Sequence, residues 1–91
     1  MSEHNASIVI YSSPFCAYCA AAKRLLATKN ASYEEIDIIA DPSRRSEMVE
    51  RSGRTTVPQI FVGTTHVGGF DDLNALAQAN KLDSLLAGDT D

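Results

Sequence analysis

Apolar residues change their spacing along the chain, and the changes separate strands from helices. The β-branched run Ile8-Val9-Ile10-Tyr11, inside Ser7 to Ser12, predicts a buried strand. Ser13-Pro14-Phe15 breaks it. From about Cys16 to Lys29 the period turns helical: Cys19, Ala22, Leu25 and Leu26 make one apolar stripe, and Lys23, Arg24 and Lys29 fall on the face toward water. Asn30 is the expected C-terminal stop. Tyr33 to Ile39 predicts a second strand from its β-propensity. Asp41-Pro42 predicts a helix start, with Asp41 as cap, and Gly53 predicts its left-handed end. On that helix Met48 and Val49 supply a small apolar face, and Glu47 and Arg51 stand four residues apart as an ion pair.

Gln59 to Val62 predicts a third strand, Gly63-Thr64 a tight turn, and Thr65-His66-Val67 a short fourth strand. After Gly68-Gly69 a helix is expected from about Asp71, with Leu73, Leu76 and Ala77 as its stripe and Asn80 as its end; Leu82 to Leu86 adds one more turn. The order β-α-β-α-β-β-α opens with a βαβ unit, which implies parallel strands, and its second half opens with a hairpin. The expected fold class is therefore α/β, a mixed four-stranded sheet flanked by helices. Residues 1–91 are expected to form a single domain with a core from about 7 to 86 and loose tails at 1–6 and 87–91.

Composition adds exclusions. Hydrophobic residues make up 44% and charged residues 22%, the balance of a globular domain and not of a disordered chain. A net charge of −4 repels phosphate backbones and anionic lipid, so neither nucleic acid nor a membrane is an expected partner. No apolar run approaches the ~20 residues of a spanning helix. Met1 to Ser7 is polar and lacks the pattern of a secretory leader. The expected location is cytoplasmic.

The chemistry concentrates at Cys16 and Cys19, a C-x-x-C pair at the predicted strand-to-helix junction. A helix N-terminus offers unpaired N–H groups and a partial positive charge, and both favour a thiolate over a thiol. Cys19, three residues on, lies on the same helical face and one turn deeper. That assigns Cys16 as the attacking nucleophile and Cys19 as the resolving thiol. Three plainer readings compete. A structural disulfide closing so short a loop would stabilise weakly. A zinc site needs four ligands, and only His4 and His66 could add to the pair, without a His-x₃₋₅-His spacing. Inert core cysteines would not call for the strand–CxxC–helix setting. Redox chemistry is the reading that uses this setting.

Three motifs in order, Cys16-Ala17-Tyr18-Cys19, Thr56-Val57-Pro58 and Gly68-Gly69-Phe70-Asp71-Asp72, give the chain a resemblance to the glutaredoxin family, most of all to small bacterial dithiol members of the glutaredoxin-3 type. The run Arg51 to Phe61, RSGRTTVPQIF, adds to it, and the resemblance spans about Ser7 to Leu86. It implies a thioredoxin fold and a glutathione-dependent disulfide oxidoreductase acting on glutathionylated or disulfide-bonded proteins, with glutathione as cosubstrate. It also implies that Thr56 and Val57 flank the tripeptide, that Pro58 is cis, and that Val57 offers its N–H and C=O to the cysteine of glutathione. Without the resemblance, Pro58 reads as an ordinary proline before a strand. Gly69, Phe70, Asp71 and Asp72 likewise read first as a glycine turn and a helix cap. The resemblance adds that the N–H groups of Phe70 and Asp71 would hold the γ-glutamyl carboxylate and that Asp71 or Asp72 would meet its ammonium. Tyr18 would pack beside the active sulfur, and Arg54 and Lys23 are the basic candidates for the glycine carboxylate.

Two positions depart from the family pattern. Many dithiol members carry proline where Ala17 stands, and many carry lysine where Ser13 stands. Some members lacking the motif proline bind a [2Fe–2S] cluster between two subunits, which makes a glutathione-ligated cluster dimer, a carrier or sensor, the alternative function. A cluster takes four thiolates, and two Cys16 side chains with two glutathiones would supply them. Without a cluster the chain is expected to be a monomer.

Overall fold

The first apolar run is strand β1 (Ile8–Ser12), and α1 (Ala17–Thr28) follows it after a short loop. The computed structural model describes residues 6–87. Beyond α1 come β2 (Glu34–Asp37), α2 (Pro42–Ser52), β3 (Gln59–Val62), β4 (Thr65–Gly68), α3 (Phe70–Gln78) and the short α4 (Leu82–Leu86). The four strands form one sheet in the order β2-β1-β3-β4. β1 runs parallel to β2, with Tyr11 opposite Ile36, and antiparallel to β3, with Ile10 opposite Ile60. β3 and β4 form the predicted hairpin, with Phe61 opposite His66. The expected mixed four-stranded sheet with flanking helices is present.

Side-chain alternation along β1 and β3 divides the core in two. Ile8, Ile10, Ile60 and Val62 face one side and meet Ala22 and Leu26 of α1, Leu73 of α3, and Leu82 and Leu86 of α4. Tyr11 and Phe61 face the other side and meet Ile36, Ile38 and Met48 of α2. Full burial of each large aliphatic side chain stabilises by roughly 1.5–3 kcal/mol, so the first side carries most of the fold's hydrophobic stabilisation.

Several local expectations need correction. The second strand ends at Asp37, not Ile39, because the Asp37 carboxylate accepts the N–H groups of Ile39 at 2.8 Å and Ala40 at 3.1 Å. That local turn competes with the ladder and wins. Asp41 holds the N-cap position of α2, but its carboxylate accepts the Ser43 hydroxyl at 2.7 Å instead of a helix N–H. Glu47 does not pair with Arg51 as expected. Both turn inward to the buried Tyr11 hydroxyl, which donates to Glu47 and accepts from Arg51 Nη1 at 2.7 Å. Glu47 also meets Arg44 at 2.9 Å, and the Arg51 guanidinium lies 4.2 Å from the Phe61 ring centroid. A buried phenol without partners would be costly, and these contacts remove that cost. Lys23 and Lys29 are paired, with Glu35 at 2.9 Å and Asp83 at 3.3 Å.

The helix stops stand where expected. Gly53 has φ 73° and donates its N–H to Val49 at 2.8 Å, and Asn30 and Asn80 adopt φ 55° and 60°. At the ends, Ala6 donates to Leu86 at 3.2 Å and Ala87 to Asp83 at 3.0 Å, so order extends to one residue beyond the expected core on each side. The rest of the expected tails, and His4, lie outside the described residues.

Candidate active site

Cys16 is the N-cap of α1, with φ −125° and ψ 111°. Its Sγ accepts the backbone N–H of Cys19 at 3.2 Å, so a first-turn donor without an intrahelical partner points at the sulfur. The same sulfur lies 3.7 Å from the Val57 carbonyl oxygen, to which a thiol can donate. Cys16 is half-buried, whereas Cys19 is 1% exposed. Burial, followed by the hydrogen bond and charge of Cys16, pushes the Cys19 thiol up to about 12. The Ser13 backbone and Lys23 act the other way and only in part. The expected difference in depth between the two thiols is therefore present.

Opposite Cys16, the Val57–Pro58 peptide bond is cis. It leads into β3, whose first residue, Gln59, is fully buried. Across the groove, α3 begins at Phe70, one residue earlier than expected, with Gly69 as N-cap. Asp72 Oδ2 accepts the Gly69 N–H at 3.0 Å and faces Arg54 Nη1 at 3.4 Å. Gly68 has φ 117°, a conformation that calls for glycine, and a Cβ there would meet the same Asp72 carboxylate and displace it from the Gly69 N–H. The cap leaves the N–H groups of Phe70 and Asp71 in the first turn without intrahelical acceptors, where an anion can bind.

These elements enclose a groove of about 240 Å³ lined by Tyr18, by Thr56, Val57 and Pro58, and by Gly69, Phe70, Asp71 and Asp72, with Arg54 and Gln59 completing the wall. Tyr18 is 64% exposed, and its ring stacks on Phe70 at 6.2 Å between centroids. Of the two basic candidates, Arg54 lines the groove; Lys23 does not, being held by Glu35. A larger hollow of about 800 Å³ lies between β4, α3 and α4; neither hollow is lined by a cysteine, and Cys16 adjoins the smaller groove through its contact with Val57. Gln59 is the groove residue that sequence reasoning missed. Its only signal was a polar residue opening an otherwise apolar strand.

Among the described residues no group of three or more His, Cys, Asp or Glu side chains could hold a metal ion. A [2Fe–2S] cluster takes four thiolates where this chain has two cysteines, so its own donors do not fit one. No helix among the described residues is long and apolar enough to cross a membrane.

A C-x-x-C pair at a helix mouth, facing a cis-proline loop across the end of a four-stranded mixed sheet, is the design of thioredoxin-fold thiol–disulfide oxidoreductases, and this chain is one. Within that class it belongs to the glutaredoxin family, whose family model, described as Glutaredoxin, matches residues 8–67. Glutaredoxin 3 of Escherichia coli K12 is 49% identical over 81 residues, covering 89% of this chain and 98% of the relative. The solution structure of a glutaredoxin from Brucella melitensis is 54% identical with a TM-score of 0.83, covering 98% of this chain and 96% of that one. A crystal structure of a buckwheat glutaredoxin–glutathione complex has a TM-score of 0.84 at 26% identity, covering 94% of this chain and 81% of that one.

Proposed function

We propose that the protein is a glutathione-dependent oxidoreductase that reduces protein–glutathione mixed disulfides and protein disulfides, with Cys16 as nucleophile and Cys19 as resolving thiol. The observation that carries this reading is the setting of the Cys16 sulfur. It accepts the Cys19 N–H at the mouth of α1 and lies 3.7 Å from Val57, whose loop lines the groove. The buckwheat neighbour, solved with glutathione, supports glutathione as the occupant.

The Cys16 thiolate attacks the glutathione sulfur of a mixed disulfide. The new Cys16–glutathione bond forms as the substrate bond breaks, and the substrate leaves as a thiolate that takes a proton from water. A second glutathione thiolate attacks the bound glutathione sulfur, releasing oxidised glutathione and restoring Cys16. With a protein disulfide, Cys16 first forms a mixed disulfide with the substrate. Cys19 then loses its proton and attacks the Cys16 sulfur; the substrate departs, and two glutathiones reduce the resulting intramolecular disulfide.

In the groove, Thr56 and Val57 flank the tripeptide through their backbone groups, and Pro58 closes its floor. Gly69 shapes the turn, and the N–H groups of Phe70 and Asp71 hold the γ-glutamyl carboxylate. Asp72 is already engaged by Gly69 and Arg54, which leaves Asp71 to meet the ammonium. Tyr18 covers the side next to the sulfur. The reading carries with it a cytoplasmic setting, where such thiols stay reduced.

The test is the glutathione-dependent release of glutathione from a glutathionylated peptide, with Cys16→Ser as the blank. A wild-type rate no higher than the blank overturns the reading.

A further inference from the structure

Gln59 and Ser12 are the polar side chains fully buried among the described residues. Burying a primary amide is costly unless each of its groups finds a partner, and here they do. Gln59 Nε2 lies 3.0 Å from the Thr56 carbonyl oxygen and 3.3 Å from Thr56 Oγ1. Its Oε1 lies 2.7 Å from His66 Nε2. A backbone carbonyl only accepts, so the amide nitrogen must face Thr56. The amide oxygen therefore faces His66, and the imidazole must carry its proton on Nε2.

His66 is itself anchored. It stands opposite Phe61 in the β3–β4 register and stacks on that ring at 4.8 Å between centroids. Phe61 in turn carries the Arg51 guanidinium. Burial, then the charge of Arg54, lowers the affinity of His66 for a second proton, against the smaller pull of Asp72. A line of contacts thus runs from the α2 face of the sheet through His66 and Gln59 to Thr56. Thr56 is exposed and lies outside regular secondary structure, directly before the Val57–Pro58 bond.

We infer that Gln59, oriented by His66, is a positioning residue that ties the Thr56-Val57 segment to the sheet and so holds one wall of the groove in its binding geometry. This rests on the reading of that groove as the glutathione site. Gln59 acts through Thr56, and His66 acts through Gln59.

The test uses Gln59→Met, which keeps length and removes both hydrogen bonds, and His66→Phe, which keeps a ring against Phe61 and removes the donor. The KM for a glutathionylated peptide is measured in each, with the rate of Cys16 alkylation by iodoacetamide and thermal unfolding alongside. Loss of a net hydrogen bond should raise KM by roughly threefold to tenfold in both variants, while Cys16 alkylation, which reads the thiol and its Val57 contact but not tripeptide binding, changes by less. His66→Gln, which returns an amide N–H toward Gln59, should bring KM back toward wild type. The double variant should be no worse than Gln59→Met alone, because the two residues act in series. A folded Gln59→Met with wild-type KM overturns the inference, as does a double variant whose effects add. Should Gln59→Met fail to fold, an unchanged KM in His66→Phe overturns it instead. A wild-type rate no higher than the Cys16→Ser blank removes the glutathione reading, and this inference with it; wild-type turnover with unchanged KM in the variants removes this inference alone.

Discussion

Replacing Cys19 by serine separates the two halves of the proposed chemistry. Burial and the neighbouring Cys16 push the Cys19 thiol up to about 12. At pH 7 that leaves roughly one Cys19 in 10⁵ as thiolate, against about 3% for an ordinary thiol near 8.5. The more basic thiolate recovers about 25- to 60-fold in intrinsic reactivity through a Brønsted slope of about 0.4–0.5. The net handicap is roughly a hundredfold. It is largest while Cys16 is a free thiolate, because the hydrogen bond and charge of Cys16 contribute to the shift. Once the Cys16 sulfur is in a mixed disulfide, burial remains as the chief obstacle. Cys19 would thus be quiet during substrate attack and be partly relieved afterwards. Cys19→Ser should therefore keep the deglutathionylation rate of a peptide within a factor of about three and lose reduction of a protein disulfide. The sign of the pH dependence follows from the raised thiol. The Cys19-dependent step should accelerate as pH rises from about 7 to about 9, since burial still disfavours its thiolate. Both rates can be followed by quantifying oxidised glutathione and reduced substrate over time. A Cys19→Ser protein as inactive toward the peptide as Cys16→Ser would refute the argument, as would a pH-independent dithiol step.

Gly68→Ala should cost about 1–3 kcal/mol from its backbone conformation alone, and its Cβ should drive Asp72 off the Gly69 N–H; an unchanged melting temperature would contradict this. Met48→Ala should destabilise by about 2–5 kcal/mol, because Met48 is the fully buried residue of α2, and thermal melting should fall by at least about 8 °C. Lys23, and after it Ser12, hold the Glu35 carboxyl below the usual range. That contribution is complete above about pH 4.3 and is lost as pH falls through the folded value, so melting curves of wild type and Lys23→Met should converge in acid. The pair is partly exposed, at 30% and 38%, which keeps the neutral-pH difference to at most about 1 kcal/mol.

Where one physical rule acts alone, the sequence reading and the structure agree. The run Ile8 to Tyr11 has no competing turn chemistry, and Gly53 and Asn80 stop their helices because few residues tolerate positive φ. Agreement fails where a side chain chooses between partners far apart in sequence. Spacing offered Glu47 the partner Arg51 on the same helix, but a phenol 36 residues from the first and 40 from the second claimed both. Asp37 ended β2 early through its own local bonds. The groove was legible because its residues sit in three short ordered motifs. Gln59 escaped because its value comes from two partners, Thr56 and His66, that only the β3–β4 hairpin and the loop before it bring together.

The unequal packing of the two sheet faces has a kinetic meaning. α2 buries Met48 and leans on Val49, while α1, α3 and α4 share the larger cluster. Cooperative unfolding units follow such differences, so amide protons of α2 should exchange through a cheaper local opening than those of α1. That opening would carry Arg51 away from Tyr11 and Phe61. It would leave Leu26 and Ala22 packed and the Cys16 cap of α1 in place. The Cys16 sulfur would thus belong to the slower-exchanging half of the molecule, and its helix would outlast the transient loss of α2.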